Sequence, residues 1–119
     1  MDRTIYKYLD DIKHSIIEIE SFISSYPRRF DVFCGTPILI RAIQMNIAII
    51  GEAMNRLLKL QPDLAISHAR KIVNTRNYVI HGYDSLRNEI LWAIVINDLP
   101  ILLQEVEQLL SQQNPKTKQ

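Results

Sequence analysis

The sequence predicts an all-α fold, an up-and-down four-helix bundle, and three observations carry that expectation. Apolar residues recur at three- and four-residue steps through four segments, the period of one buried helical face. The 119 residues hold only three glycines and no hairpin dipeptide such as Asn-Gly, so little supports a sheet. The breaks between segments fall at proline and glycine, which interrupt a helix for known steric reasons.

The first segment runs from about Arg3 to Ser25, with Ile5, Tyr8, Leu9, Ile12, Ile16, Ile19 and Ile23 on one stripe. Asp2 is placed to cap its free amides. The stretch "SSYPRRFDVFCGTP" breaks the pattern and reads as a loop. Thr36-Pro37 then offers a hydroxyl cap followed by proline at the first helical position, opening a helix that ends near Leu60, before Gln61-Pro62. A third helix is expected from about Asp63 to His81, stopped by Gly82. The fourth starts after Asp84-Ser85, reaches about Ser111, and should kink at Pro100. Residues 1–112 thus read as one domain and 113–119 as a flexible polar tail.

The run "ILWAIVI" (90–96) is β-branched enough for a strand, but no second run of that kind exists to pair with it. As a helix it is apolar on every side and asks to be buried on every side. Four helices rarely bury one member completely, so part of this run is expected to pack against a second subunit, as a homodimer.

Composition excludes several classes. Apolar residues make up 47% and charged residues 23%, the balance of a folded globular chain and not of a disordered one. A net charge of +1 gives no global attraction for nucleic acid or membrane, so any anion site must be local. The single Cys34 cannot form an internal disulfide; it fits a reducing compartment and reads as a small half-buried loop residue. Charges throughout the first twenty residues argue against a signal peptide. The longest uninterrupted apolar run is short of a membrane span. A cytoplasmic protein is expected.

The informative stretch is "RNYVIHGY" (76–83). On a 3.6-residue wheel Ile72, Arg76, Val79 and Tyr83 share one stripe, while Asn77 and His81 share its neighbour. A guanidinium stays charged and is costly to bury alone, so Arg76 needs a carboxylate or faces a cavity that receives an anion. Glu52 is the internal candidate, because it continues the stripe Ala42, Met45, Ile49 on the second helix. A purely structural Arg76–Glu52 pair is one outcome; an anion site is the other. His81 ends the helix, where carbonyl dipoles raise an imidazole's pKa and the nearby guanidinium lowers it. The balance can leave it titrating near neutrality, as acid–base work requires. His14 and His68 lie apart with no ligand spacing, so no metal site is expected; no glycine-rich phosphate loop exists, and no cofactor is implied. Arg56, Lys59, Arg70, Lys71 and Arg87 could ring a cleft, as could Arg28-Arg29, though such charges also decorate any solvated surface. Tyr78 and Tyr83 could stack on bases, whereas Trp92 belongs to the core.

Arg76-x-x-x-x-His81-x-Tyr83, with Asn77 after the arginine, resembles the signature of the HEPN superfamily, and more closely the HepT toxins of HEPN/MNT toxin–antitoxin pairs. "YLDDIKHSIIEIESFI" (8–23), "IIGEAMNRL" (49–57) and "ILWAIVINDLPIL" (90–102) resemble its first, second and last helices, so the likeness spans about residues 3–112. The resemblance implies an all-α homodimer whose two motifs face one cleft. It implies a metal-independent endoribonuclease acting as a toxin, with RNA as substrate and Arg76 and His81 as catalytic residues. It further implies a cognate minimal nucleotidyltransferase as antitoxin, which attaches AMP to the tyrosine matching Tyr83. Asn77 is expected to orient the scissile phosphate or His81. The alternative is a non-catalytic HEPN module that binds a nucleotide or docks a nucleotidyltransferase.

Overall fold

The apolar stripe of the first segment is what fixes the first helix in place. In the computed structural model of the chain, which describes residues 3–80 and 87–113, α1 (Arg3–Ser24) buries Ile5, Leu9, Ile12, Ile16, Ile19 and Ile23 on one face. Fully burying an aliphatic side chain of this kind is worth about 1.5–3 kcal/mol before the cost of ordering it. The anticipated Asp2 cap, the Gly82 stop and residues 114–119 of the expected tail lie outside the described residues.

A short helix, α2 (Phe30–Cys34), interrupts what the sequence suggested was a loop. Five residues are too few for a periodic signal, and tertiary contact decides the matter instead: Phe33 is fully buried, with its ring 5.0 Å from that of Trp92 and 6.4 Å from Phe30. Cys34, at the end of α2, is exposed, contrary to the half-buried loop position expected for it. Thr36 does not cap the next helix with its hydroxyl. That hydroxyl donates backwards to the Val32 carbonyl at 2.7 Å, while the Thr36 carbonyl accepts the first amide bonds of α3.

The central element is α3 (Pro37–Leu60), which packs between α1 and α4 (Ala69–Ile80). Its buried face carries Leu39, Ile43, Ile47, Ile50, Met54 and Leu57. By length and composition α3 could cross a bilayer. Polar residues such as Arg41, Gln44 and Asn46 break its apolar runs, and in the fold it serves as the helix around which the others pack. Asn46, buried, donates to Glu18 Oε1 of α1 at 3.2 Å and to the Ala42 carbonyl at 3.1 Å.

The third long helix begins at Ala69 and not near Asp63. Leu64 and Ile66 are both buried. In a helix they would point about 200° apart, at 100° per residue, and could not enter one core. A tight loop solves this, with turn bonds from Leu64 N to Gln61 O and Ile66 N to Leu64 O, and His68 in the left-handed region at φ 59°. Ser67 donates through both its amide and its hydroxyl to Glu105 Oε2, at 3.0 and 2.9 Å, tying this loop to the last helix.

The last segment is composite: α5 (Asn88–Ala93), a π turn (Ile94–Asp98) and α6 (Leu99–Gln113). The irregularity expected of Pro100 takes the form of this widened turn one step ahead of it, closed by the Leu99 amide on the Ile94 carbonyl. Leu91, Ile94 and Val95 of the apolar run are buried, and α2 covers the Trp92 side; Ile90 and Ala93 stay exposed. The chain itself therefore covers much of the run that seemed to call for a second subunit.

Phe33 supports α2 from below and Trp92 from the side. Phe33→Ala should lower stability by about 3–5 kcal/mol, read as a fall in urea midpoint. Ile38→Ala, at a residue 74% exposed, should stay within about 0.5 kcal/mol of wild type.

Candidate active site at the junction of α3 and α4

The junction of α3 and α4 is built on a glycine. Gly51 lies buried in the middle of α3, and a β-carbon there would sit 2.2 Å from Arg76 Cβ, 3.0 Å from Arg76 Cγ and 3.2 Å from the Ile72 carbonyl oxygen. Any larger residue would push α4 away. With hydrogen alone at this point, the first two carbons of the Arg76 side chain lie directly on the α3 backbone.

That contact sets what the guanidinium can reach. Arg76 Nη1 donates to Glu52 Oε2, the residue next to Gly51, and Arg76 Nη2 donates to Asn77 Oδ1 at 2.7 Å. Glu52 Oε1 in turn accepts from Arg56 Nε at 3.2 Å, one turn further along α3. Arg76 Nε is buried and has no acceptor among the described residues. The Arg76 side chain is 19% exposed and that of Glu52 42%, so the cation is the more enclosed member and the carboxylate opens outward. Half-solvated pairs of this kind are worth far less than fully enclosed ones, so the geometry fixes the guanidinium's orientation more than it stabilises the fold.

The predicted stripe is confirmed as far as it is described: Ile72 is buried and Arg76 follows it on the face turned to α3. Glu52, Arg76 and Asn77 are brought together as the spacing suggested. The carbonyl oxygen of Asn77 accepts from the Arg76 guanidinium. His81 and Tyr83 follow directly after α4 but lie outside the described residues. The face carrying Glu52 differs from expectation, because Met45 and Ile49 are 69% and 47% exposed. It is an outward stripe in the single chain, the core having taken the opposite face of α3. Beside it runs a cleft of about 360 Å³ between α1 and α3, bounded by Tyr8, Asp11, Met45, Ile49, Glu52 and Arg56.

Residues 12–109 match the family model described as "Ribonuclease HepT-like". The chain belongs to the HepT-like ribonuclease family. Two curated proteins are similar to it. One, "Putative RNase TTE0752" of Caldanaerobacter subterraneus subsp. tengcongensis, is 27% identical over 107 residues, covering 86% of this chain and 93% of that protein. The other, "Putative RNase MJ0127" of Methanocaldococcus jannaschii, is 26% identical over 113 residues, covering 91% and 88%. No solved structure matches the chain significantly.

Most of the basic residues that the sequence offered as the rim of a cleft are already engaged. Arg28 pairs with Glu20 at 3.5 Å, Arg29 grips Asp31 through two nitrogens, Lys71 meets Asp98 at 2.9 Å and Arg87 meets Glu89 at 3.7 Å. Arg56 is held by Glu52. Lys59 and Arg70 are exposed on α3 and α4. Among the described residues no three His, Cys, Asp or Glu side chains converge as a metal-binding group would.

Sequence reasoning missed Gly51. Its signal was present: a glycine inside a long helix costs about 1 kcal/mol relative to alanine and needs a packing reason. Gly51→Ala should therefore reverse the usual helix-propensity gain and destabilise by about 1–3 kcal/mol, through overpacking against Arg76. Thermal unfolding of the purified variant checks this; a raised midpoint would contradict the contact.

Proposed function

We propose that the chain is a metal-independent endoribonuclease toxin of a type VII-like HEPN/MNT toxin–antitoxin pair, working as a cytoplasmic homodimer. The observation that carries this reading is the Arg76 guanidinium, held at the α3–α4 junction by Glu52 and Asn77 at the helix end that leads into His81. A structural ion pair would need only Glu52. The added grip of Asn77 fixes the plane of the guanidinium, which matters when two parallel donors must meet a phosphate.

In the reaction the ribose 2′-hydroxyl attacks the adjacent phosphorus and the bond to the 5′-oxygen breaks, leaving a 2′,3′-cyclic phosphate and a free 5′-hydroxyl. One group must take the 2′ proton and another must protonate the departing oxygen. His81 is assigned to proton transfer and Arg76 to the charge that builds on the phosphorane. Base and acid stand on opposite sides of the phosphorus, which a second copy of His81 across a two-fold axis would satisfy. Glu52 and Asn77 support Arg76.

Control is assigned to Tyr83. A cognate minimal nucleotidyltransferase would transfer AMP from a nucleoside triphosphate to the tyrosine oxygen, with pyrophosphate leaving. The added phosphate carries a negative charge toward Arg76 and the nucleoside fills the cleft, opposing RNA by charge and by volume.

The second reading, a non-catalytic module that docks a nucleotidyltransferase, is favoured by one observation: Glu52 already neutralises Arg76. Expression of wild type, Arg76→Ala and His81→Ala without the partner separates the two. Growth arrest from wild type alone, with RNA fragments ending in cyclic phosphate and cleavage slowed by about 100-fold or more in both variants, fits the nuclease. Equal effects from all three favour docking. Tyr83→Phe should escape neutralisation by the nucleotidyltransferase while keeping its nuclease activity. A variant still silenced would point to simple occlusion by the bound protein.

A further inference from the structure

Two carboxylates on the composite last segment hold the leading end of α4. Glu105 Oε2 accepts from the Ser67 amide at 3.0 Å and from the Ser67 hydroxyl at 2.9 Å, two residues ahead of α4. Asp98 Oδ2 accepts from Lys71 Nζ at 2.9 Å, in the first turn of α4. Asp98 and Glu105 are seven residues apart, about 10 Å along the helix axis and within about 20° around it, so they share one face. The leading end of α4 is thereby fixed at two points by one continuous helical segment.

Burial alone does not supply that fix. α4 packs its apolar face on α3, with Ile72 and Val73 buried. Apolar burial has no direction, so it holds the helix down without choosing where along α3 it rests. Toward the last segment the packing is incomplete. A void of about 10 Å³ lies among Ile47, Ile50, Ile72, Thr75, Ile94 and Leu99, and Lys71 and Asp98 complete its wall. The position of α4 matters because Arg76 must meet Gly51. Neighbouring helix positions differ by about 1.5 Å along the axis and 100° around it, so a shift of one position carries Arg76 off the glycine.

These bonds are weak as sources of stability, since the Lys71 side chain is 56% exposed and Asp98 21%. Glu105 Oε1 is buried without a donor among the described residues, a placement that costs stability. What both carboxylates give α4 is direction. We infer that Asp98 and Glu105 are positioning residues which, by holding Lys71 and Ser67, set α4 at the place on α3 where Arg76 rests on Gly51. The inference deepens the ribonuclease reading and rests on it, because Arg76 is the residue assigned to the phosphorane. The guanidinium itself is held by Glu52 and Asn77, so the two carboxylates act on it through α4.

Conservative replacement and charge reversal test this. Lys71→Ala and Glu105→Leu should each lower kcat for RNA cleavage at least tenfold, with KM within about threefold of wild type, since Arg76 acts on charge that exists only in the transition state. Their urea midpoints should stay within about a tenth of the wild-type value. Glu105→Gln keeps an oxygen for Ser67 and should retain kcat to within about threefold. Lys71→Asp combined with Asp98→Lys reverses the pair and should recover kcat to within about threefold. Wild-type kcat in Lys71→Ala and Glu105→Leu would overturn the inference. So would a loss confined to KM, a fall in kcat that follows a lowered midpoint, or no recovery in the reversed pair. Amide hydrogen exchange reads the same clamp without any activity: over residues 72–80 it should quicken at least tenfold in Lys71→Ala and Glu105→Leu while α1 keeps its wild-type rates. Faster exchange in a protein that cuts no RNA removes the ribonuclease reading and leaves the placement of α4 standing. Unchanged exchange in an active protein removes the clamp alone.

Discussion

Everything distinctive about this chain depends on one close approach, between the α-carbon of Gly51 and the side-chain root of Arg76. A helix pair separated by ordinary side chains would hold the arginine farther from α3, with its long stem free to wander. Here the stem is pinned at its base and the guanidinium is gripped at its tip by Glu52 and Asn77. Little conformational freedom remains to the side chain. The glycine's weakness as a helix former is the local cost of that arrangement, offset by the buried aliphatic residues on the rest of α3.

Electrostatics in this protein is local. With a net charge of +1 and most of its described cations tied to neighbouring carboxylates, the chain offers no broad positive field. Glu52 joins two cations, contacting Arg76 across the helix pair and Arg56 along its own helix. Its greater exposure makes it the adjustable member of the network, while Arg76 stays enclosed.

Much of the fold was legible because helical periodicity survives in any long amphipathic segment. α1 follows its apolar stripe closely, and Arg76 with Glu52 could be paired from wheel positions alone. What escaped was decided by contacts between distant residues. α2 exists because Phe33 meets Trp92, some sixty residues away in the chain. The late start of α4 follows from a core that takes both Leu64 and Ile66. The stripe through Met45 and Ile49 looked like core because a sequence shows that a face is apolar without showing which of two apolar faces the chain itself will cover. Gly51 left a trace in the sequence, but its partner could be known only in three dimensions.

The widened turn at Ile94–Asp98 gives the last helix two angular phases. Leu91 and Val95 belong to the first; Leu99, Leu102, Val106 and Leu109 belong to the second. Continued without the extra residue, the repeat from Leu91 and Val95 would bring position 98 to the inner face, and that position is an aspartate. The slack carries Leu99 inward in its place and leaves Asp98 on the flank, where Lys71 of α4 can hold it. One surplus residue, lodged just ahead of a proline, thereby decides which side of α6 greets α1.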